Sequence, residues 1–379
     1  MQPSAGDDAR AAAALLTAEA TGPRAGKPPH DPDPDPDPDT EPDPESGTST
    51  STDPATEYAI RTRRLVKSYP GPDGTTVDAV RGLDLDVRRG ETFAFLGPNG
   101  AGKSTTIALL CALARPTSGH ATVAGFDVAA RPHDVRRQVG ILFQHSALDP
   151  DLTVEQNLRI HARLYGLPRR DVRRRTAEVL EPAGLTDRRR FPVRALSGGM
   201  RRRLEIARQL LHSPSVLFLD EPTTGLDPHA RAEIWEHLRA LRERLGSTLF
   251  VTTHYLEEAE NCDRIAIIDG GRLVAQGTPH GLKAEIGDDR VVLRTSDDGR
   301  ARKVVALAAP DRPVTVDADG TWLRVPDGSA WIPRLCAALE ADGIAVHAAS
   351  ATPPTLDDVF FHHTGRSITT IPAAIGGGR

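Results

Sequence analysis

The run Gly97-Pro98-Asn99-Gly100-Ala101-Gly102-Lys103-Ser104-Thr105 follows directly on the apolar segment Thr92-Phe93-Ala94-Phe95-Leu96. A buried strand that opens into a glycine-rich turn is built to hold phosphate. The glycines let the backbone curl until several N–H groups point inward, Lys103 brings a point charge to the β- and γ-phosphates, and the Ser104 hydroxyl is a ligand for Mg²⁺. The helix expected over Thr105 to Ala114 adds its positive end to the same anion.

Two further groupings carry chemistry. Val216-Leu217-Phe218-Leu219-Asp220-Glu221 is an apolar strand that ends in paired carboxylates. Asp220 stands where it can hold Mg²⁺, directly or through water, and Glu221 is the candidate base, since attack on a γ-phosphate needs an oriented water and a carboxylate to deprotonate it. Strand-end acids also cap helices, which is the plainer alternative for this pair. Leu196-Ser197-Gly198-Gly199-Met200 precedes a strongly helical stretch and offers a hydroxyl and two glycine N–H groups at a helix N-terminus, a second anion site. One chain has little use for two such sites unless the second serves another subunit's nucleotide.

The elements that must position these groups read as an α/β core on a largely parallel sheet. Short β-rich runs (Tyr58 to Val66, Val77 to Val87, Thr92 to Leu96) lead into strands at Val139 to Phe143, Ser215 to Leu219 and Thr248 to Thr252. Between them, over about 145-212, apolar residues recur at three- and four-residue intervals (Leu158, Ala162, Tyr165; Leu204, Ala207, Leu211), which predicts a helical insert. Ile265 to Val274 gives two strands around a Gly-Gly turn, and Thr278-Pro279 starts a capped helix that closes the core near Ile286. Residues 287-366 read as a small α+β unit, with strands at Val291 to Thr295, Lys303 to Leu307, Val314 to Val316, Trp322 to Val325 and Ala345 to Ala349. Helices are expected at Trp331 to Leu339 and Leu356 to His362, the latter with Leu356, Val359 and Phe360 on one face.

Composition bounds the class. The chain has 379 residues, 39% hydrophobic and 26% charged, enough for about two domains with a substantial core. No apolar run approaches the ~18 to 20 residues needed to cross a bilayer, and Asp7 and Asp8 stand where a secretory signal carries basic residues. Cys111, Cys262 and Cys336 are odd in number and scattered, which argues against a disulfide framework or a zinc cluster and for a reducing cytosol. The net charge of −5 divides unevenly: residues 1-56 carry −9 and the rest +4. The repeat Asp31-Pro32-Asp33-Pro34-Asp35-Pro36-Asp37-Pro38 excludes helix and repels itself, so 1-56 reads as a disordered tail, and 367-379 as a second one. Arginine clusters at 173-175, 188-190 and 201-203 lack interleaved aromatics, so nucleic acid is not the expected partner.

Taken together, the motifs resemble the ATP-binding cassette (ABC) superfamily over about residues 57-285. Its signature Leu-Ser-Gly-Gly-Gln is matched except that Met200 replaces the glutamine. The resemblance implies roles for residues that composition alone would leave unassigned. Gln144 matches the glutamine that senses the γ-phosphate and Mg²⁺, and Asp227 the aspartate loop at the dimer interface. His254 matches the switch histidine, and Tyr69 stands where an aromatic stacks on adenine. In this superfamily two cores sandwich two ATP molecules, each between one chain's phosphate loop and the other's signature. That implies a homodimer on ATP binding, a separate integral membrane permease, and a peripheral place on the cytoplasmic face of the cell membrane. Narrower matches, Ser197 to Ala207, Ala162 to Gly166 and Pro354 to Phe360, resemble the daunorubicin/doxorubicin-resistance ATPases. These imply multidrug efflux, with export of lipid or polysaccharide as an alternative built on the same engine and a non-transport ABC ATPase as a more distant one.

Overall fold

The computed structural model describes residues 57–71, 74–144 and 146–366. The Asp-Pro segment and the C-terminal tail, both expected to be disordered, lie outside the described residues.

The core is a six-stranded sheet in the order β10-β9-β3-β8-β7-β6, formed by β3 (Thr92–Leu96), β6 (Val139–Leu142), β7 (Val216–Asp220), β8 (Thr248–Thr253), β9 (Arg264–Asp269) and β10 (Arg272–Gly277). All its neighbours run parallel except β10, which returns on β9 through the Gly270-Gly271 turn. Strands buried on both faces read as continuous apolar runs, and β3, β7 and β8 are buried at every residue. Their alternation sorts the two faces. Phe93, Phe95, Phe218 and Phe250 cluster on one, with ring centroids 5.4 to 5.7 Å apart, under an antiparallel sheet. That sheet is ordered β2-β1-β4-β5, from β1 (Tyr58–Pro70), β2 (Thr76–Arg88), β4 (Ser118–Val123) and β5 (Phe126–Asp127). Between the sheets lies α1 (Lys103–Leu110), which starts two residues before the expected helix and ends at Cys111; α2 (Pro132–Gln138) leads into β6.

On the other face Ala94, Leu96, Leu217, Leu219, Leu249 and Val251 meet the helical insert. This is α3 (Val154–Leu164), α4 (Arg169–Leu180) and α5 (Gly198–Gln209), joined on that side by α6 (Pro228–Leu245). The short α7 (Leu256–Ala259) follows β8, and α8 (Pro279–Ile286) begins with Thr278 as N-cap and Pro279 in its first turn.

Residues from Asp289 form a third sheet in the order β12-β13-β11-β14, all antiparallel: β11 (Asp289–Thr295), β12 (Val314–Asp317), β13 (Gly320–Val325) and β14 (Val346–Thr352). Two helices cover one face, α9 (Asp298–Ala308) and α10 (Gly328–Ala341), giving a βαββαβ unit with its own core. Here one expectation is corrected. Lys303 to Leu307 is not a strand but the second half of α9, capped by Asp297 accepting from the Arg300 amide. Ala301 and Val305, four residues apart, are the buried pair that fixes the helix, and a short apolar run such as Val304-Val305 cannot choose between periods by itself. The last helix, α11 (Leu356–Thr364), leaves this unit and buries Leu356, Val359 and Phe360 in the core of the parallel sheet's helical face.

Candidate functional site

The loop Gly97–Gly102 leaves the C-terminal end of β3 and turns into α1. Gly102 is its N-cap at φ +103, with no side chain capping the helix, and a Cβ there would stand 2.3 Å from the Ala79 carbonyl oxygen. At Gly97 a Cβ would meet the Ile268 carbonyl oxygen at 2.4 Å. Both glycines are therefore required by close backbone approach, and the free N–H groups of the first helical turn are left for an anion. Lys103 is buried beneath the loop; its Nζ donates to the carbonyls of Gly97 (2.8 Å) and Pro98 (3.2 Å) and lies 3.5 Å from Glu221 Oε1. Burial lowers the lysine's pKa from its ordinary value, against the pull of Glu221 and Asp220.

The end of β7 brings the carboxylates to the same place. Ser104 Oγ donates to Asp220 Oδ2 at 3.0 Å, and Thr252 Oγ1, on the neighbouring β8, donates to Asp220 Oδ1 at 2.5 Å. Burial, with the negative charge of Glu221 beside it, raises the Asp220 pKa against the pull of the Thr252 and Ser104 hydroxyls and Lys103. Two hard oxygens, the Ser104 hydroxyl and the Asp220 carboxylate, fit a Mg²⁺ that takes its other ligands from phosphate and water.

Glu221 is not a helix cap. Its Oε1 stands 3.3 Å from His254 Nδ1, and Thr224 Oγ1 donates to Oε2 at 3.1 Å. His254 first, with Lys103 behind it, holds the Glu221 carboxyl down to about 2. The backbone at Glu221 is left-handed (φ +47), although the residue precedes Pro222 and has a side chain to accommodate. Two bonds to Thr252 hold it there: the Glu221 amide donates to the Thr252 hydroxyl and to its carbonyl, each at 3.1 Å. Next to it Glu258, 1% exposed, accepts from the hydroxyls of Thr223 and Thr253 and so ties the turn after Glu221 to the strand before His254. Thr252, Thr224 and Glu258 escaped the sequence reading; a Thr-Thr pair at the end of an otherwise apolar strand was the available signal.

The remaining candidates lie elsewhere on the chain. Ser197 caps α5, its Oγ accepting from the Met200 amide at 3.2 Å, and Asp227 caps α6, accepting from the Ala230 amide at 2.9 Å, a bond that lowers its carboxyl pKa. The two caps are neighbours: a Cβ on Gly198 would lie 3.9 Å from Leu226 Cδ2 and one on Gly199 3.5 Å from Ala230 Cβ. Both are ordinary contacts, so nothing among the described residues forbids a side chain at either glycine. Met200 is half-buried against the helical core, which accounts for an apolar residue there. Gln144 is exposed just beyond β6, and Tyr69 sits near the end of β1 with the Lys67 ammonium 4.8 Å over its ring. Asn99, Gly100, Ala101 and Thr105 complete the loop and the first turn of α1.

A phosphate loop whose lysine and serine meet a strand-end Asp-Glu pair, on a parallel sheet carrying a helical insert, defines a nucleotide-binding cassette. Comparison with known proteins agrees. Residues 80–224 match the ABC transporter family. Daunorubicin resistance ATP-binding protein DrrA3 of Streptomyces coeruleorubidus is 46% identical over 76% of this chain and 91% of its own length. Nod factor export ATP-binding protein I of Ralstonia nicotianae is 44% identical over 76% of this chain and 90% of its own. Among solved structures, cbiO1 of Clostridium perfringens, part of the ABC transporter complex cbiONQ, superposes with a TM-score of 0.55 at 30% identity, covering 67% of this chain and 97% of that one. A dimeric, post-hydrolysis ATP-binding cassette bound to ADP and Pi gives 0.52 at 27% identity, covering 58% and 98%. The chain belongs to the ABC transporter ATPases, in the daunorubicin-resistance ATP-binding group: it binds ATP and hydrolyses it. No helix among the described residues is long and apolar enough to cross a membrane.

Proposed function

We propose that two copies of this chain close on ATP and power export of a hydrophobic drug or antibiotic through a separate membrane subunit, from the cytoplasmic face of the membrane. On this reading residues 57-286 are the ATPase domain, with about 145-212 as its helical subdomain, and 287-366 a small C-terminal domain. The loop from Gly97 to Thr105 cradles the phosphates, Tyr69 faces the adenine, and Ser104 and Asp220, joined by Gln144, would hold Mg²⁺. When bound, the metal neutralises charge on the phosphates and on the leaving oxygen. Glu221 takes the proton of the attacking water while the new oxygen–phosphorus bond forms and the bond to ADP breaks; His254 keeps the carboxylate ionised and contacts the γ-phosphate.

The observation that carries the dimer is the pair Gly198-Gly199. Glycine in the first turn of a helix costs helix stability, and no contact among the described residues asks for it. A surface kept bare of side chains beside a capped helix N-terminus suits close approach by another molecule's phosphate, with Ser197, Met200 and Asp227 at its rim. Relatives named for daunorubicin and linearmycin resistance support drug export, and those named for Nod factor export leave room for the second reading, a lipid or polysaccharide cargo. Copurifying the membrane subunit and measuring which compounds stimulate ATP hydrolysis decides between them; stimulation by a lipid or polysaccharide and not by hydrophobic drugs overturns the first.

A further inference from the structure

Arg202 lies one turn along α5 from the Ser197 cap, in the arginine run 201-203, and a charge run on a helix is ordinarily a solvated face. The structure buries it instead. Its side chain is 11% exposed and pairs with Glu205, 5% exposed, through Nη1 at 2.8 Å. The rest of the guanidinium is spent on backbone carbonyls of two other segments. Nε donates to Pro222 O at 2.6 Å, Nη2 to Glu221 O at 3.3 Å with Asp220 O at 3.5 Å, and Nη1 to Phe143 O at 3.0 Å. One planar fork thus holds the carbonyls that flank the left-handed Glu221 and the carbonyl immediately before Gln144. It does so from the helix whose N-terminus carries Ser197, Gly198 and Gly199. Lysine has no such fork; a single ammonium cannot span carbonyls on two segments in fixed directions.

We propose that Arg202 is a positioning residue for hydrolysis: it sets the backbone of Glu221 and the stem of Gln144 according to the placement of the signature helix. The proposal rests on the reading of Glu221 as base. A nucleotide seated on the Ser197 end of α5 thereby reports to the carboxylate and glutamine of the opposite site, so that contact at one site sharpens the geometry at the other. Strain at a left-handed, pre-proline residue persists only where its surroundings enforce it, and Arg202 supplies three of the enforcing bonds.

The test uses the purified full-length chain. Arg202→Gln alone leaves Glu205 buried without its partner, so it is paired with Arg202→Gln/Glu205→Gln, which removes both charges, and with Arg202→Lys. Hydrolysis at saturating MgATP falls about tenfold or more in the double variant while KM stays within about threefold, because an interaction that shapes the transition state leaves ground-state binding alone. ATP bound per chain is unchanged, Arg202→Lys recovers part of the rate, and amide exchange at residues 220–224 quickens. In a Glu221→Gln background the same substitution adds no further loss, as expected of two residues that act as one unit. A rate within about twofold of the parent, a loss that multiplies with that of Glu221→Gln, or a fall in bound ATP that parallels the fall in rate overturns the proposal. If Glu221→Gln itself turns over at the parental rate, or the chain alone shows no turnover, amide exchange decides, and unchanged exchange at 220–224 rejects Arg202.

Discussion

Lys103 Nζ and Glu221 Oε1 stand 3.5 Å apart, so the cation of the phosphate loop and the candidate base are paired with each other. If the γ-phosphate seats on this loop as proposed, it competes with Glu221 for that ammonium and releases the carboxylate toward the attacking water. Glu221→Gln removes both the base and a rival anion beside Lys103. It is expected to bind ATP at least as tightly as the parent in calorimetry, to lose about 10²- to 10⁴-fold in hydrolysis, and to accumulate as an ATP-bound dimer on size exclusion. Unimpaired turnover removes Glu221 from the mechanism.

Lys103→Ala acts on the other half of the pair. The buried carbonyls of Gly97 and Pro98 lose their donor, and on the proposed reading the phosphates lose their main cation. ATP affinity measured by calorimetry falls by tenfold or more, since hydrogen bonds to a charged group are worth about 1.5 to 3 kcal/mol. Unchanged affinity places the phosphates elsewhere.

The glycines separate into those this chain needs and those it does not. Gly102→Ala drives a Cβ into the Ala79 carbonyl at a left-handed φ and is expected to lower the melting temperature by several degrees and abolish ATP binding. Gly199→Ala meets only ordinary contact and removes a poor helix former from α5, so the melting temperature holds or rises. Its hydrolysis nonetheless falls if a second chain's nucleotide seats there. Full activity in Gly199→Ala counts against the dimer.

The phosphate loop, the Asp220-Glu221 pair and the capped helix after Leu196 were legible because each needs particular residue types at fixed spacing next to a strong period. The buried strands were legible for the same reason, since Phe93, Phe95, Phe218 and Phe250 alternate with the small and branched residues that face the helices. What stayed hidden depends on partners distant in sequence. Arg202 reads as surface until Phe143 and Pro222 are brought beside it, and Thr252 reads as strand filler until Asp220 is its neighbour. The α9 helix was missed because Val304-Val305 favours a strand locally, whereas Asp297 and the buried Ala301–Val305 spacing decide it.

Three histidines make stability fall on acidification. Burial depresses His161, next to Arg208 and His212, from its ordinary 6.5 to about 3, and depresses His212 and His237 to about 4. Between pH 4 and 6.5 the unfolded chain therefore binds protons that the folded chain refuses, so stability is fully present above 6.5 and is lost as pH falls below it. At pH 5 the cost is about 1 to 2 kcal/mol for each, read as a lower urea midpoint than at pH 7. His237→Gln recovers part of that difference, and a midpoint independent of pH from 7 to 5 contradicts the neutral, buried state of these rings.

The final helix returns from the C-terminal sheet to the ATPase core. Phe360 is fully buried among residues of the helical face, Thr355 and Asp358 close a capping box at its start, and Arg324 of β13 pairs with Asp358. The helix is thus a clasp between two cores, apolar on the ATPase side and ionic on the other. Phe360→Ala leaves a cavity in the larger core and is expected to cost about 3 to 5 kcal/mol, whereas Arg324→Met takes the cation from Asp358 but leaves that carboxylate its bonds from Thr355, and is expected to cost less. Differential scanning calorimetry distinguishes the two, and a Phe360→Ala transition within a degree of the parent shows that the clasp contributes nothing to the fold.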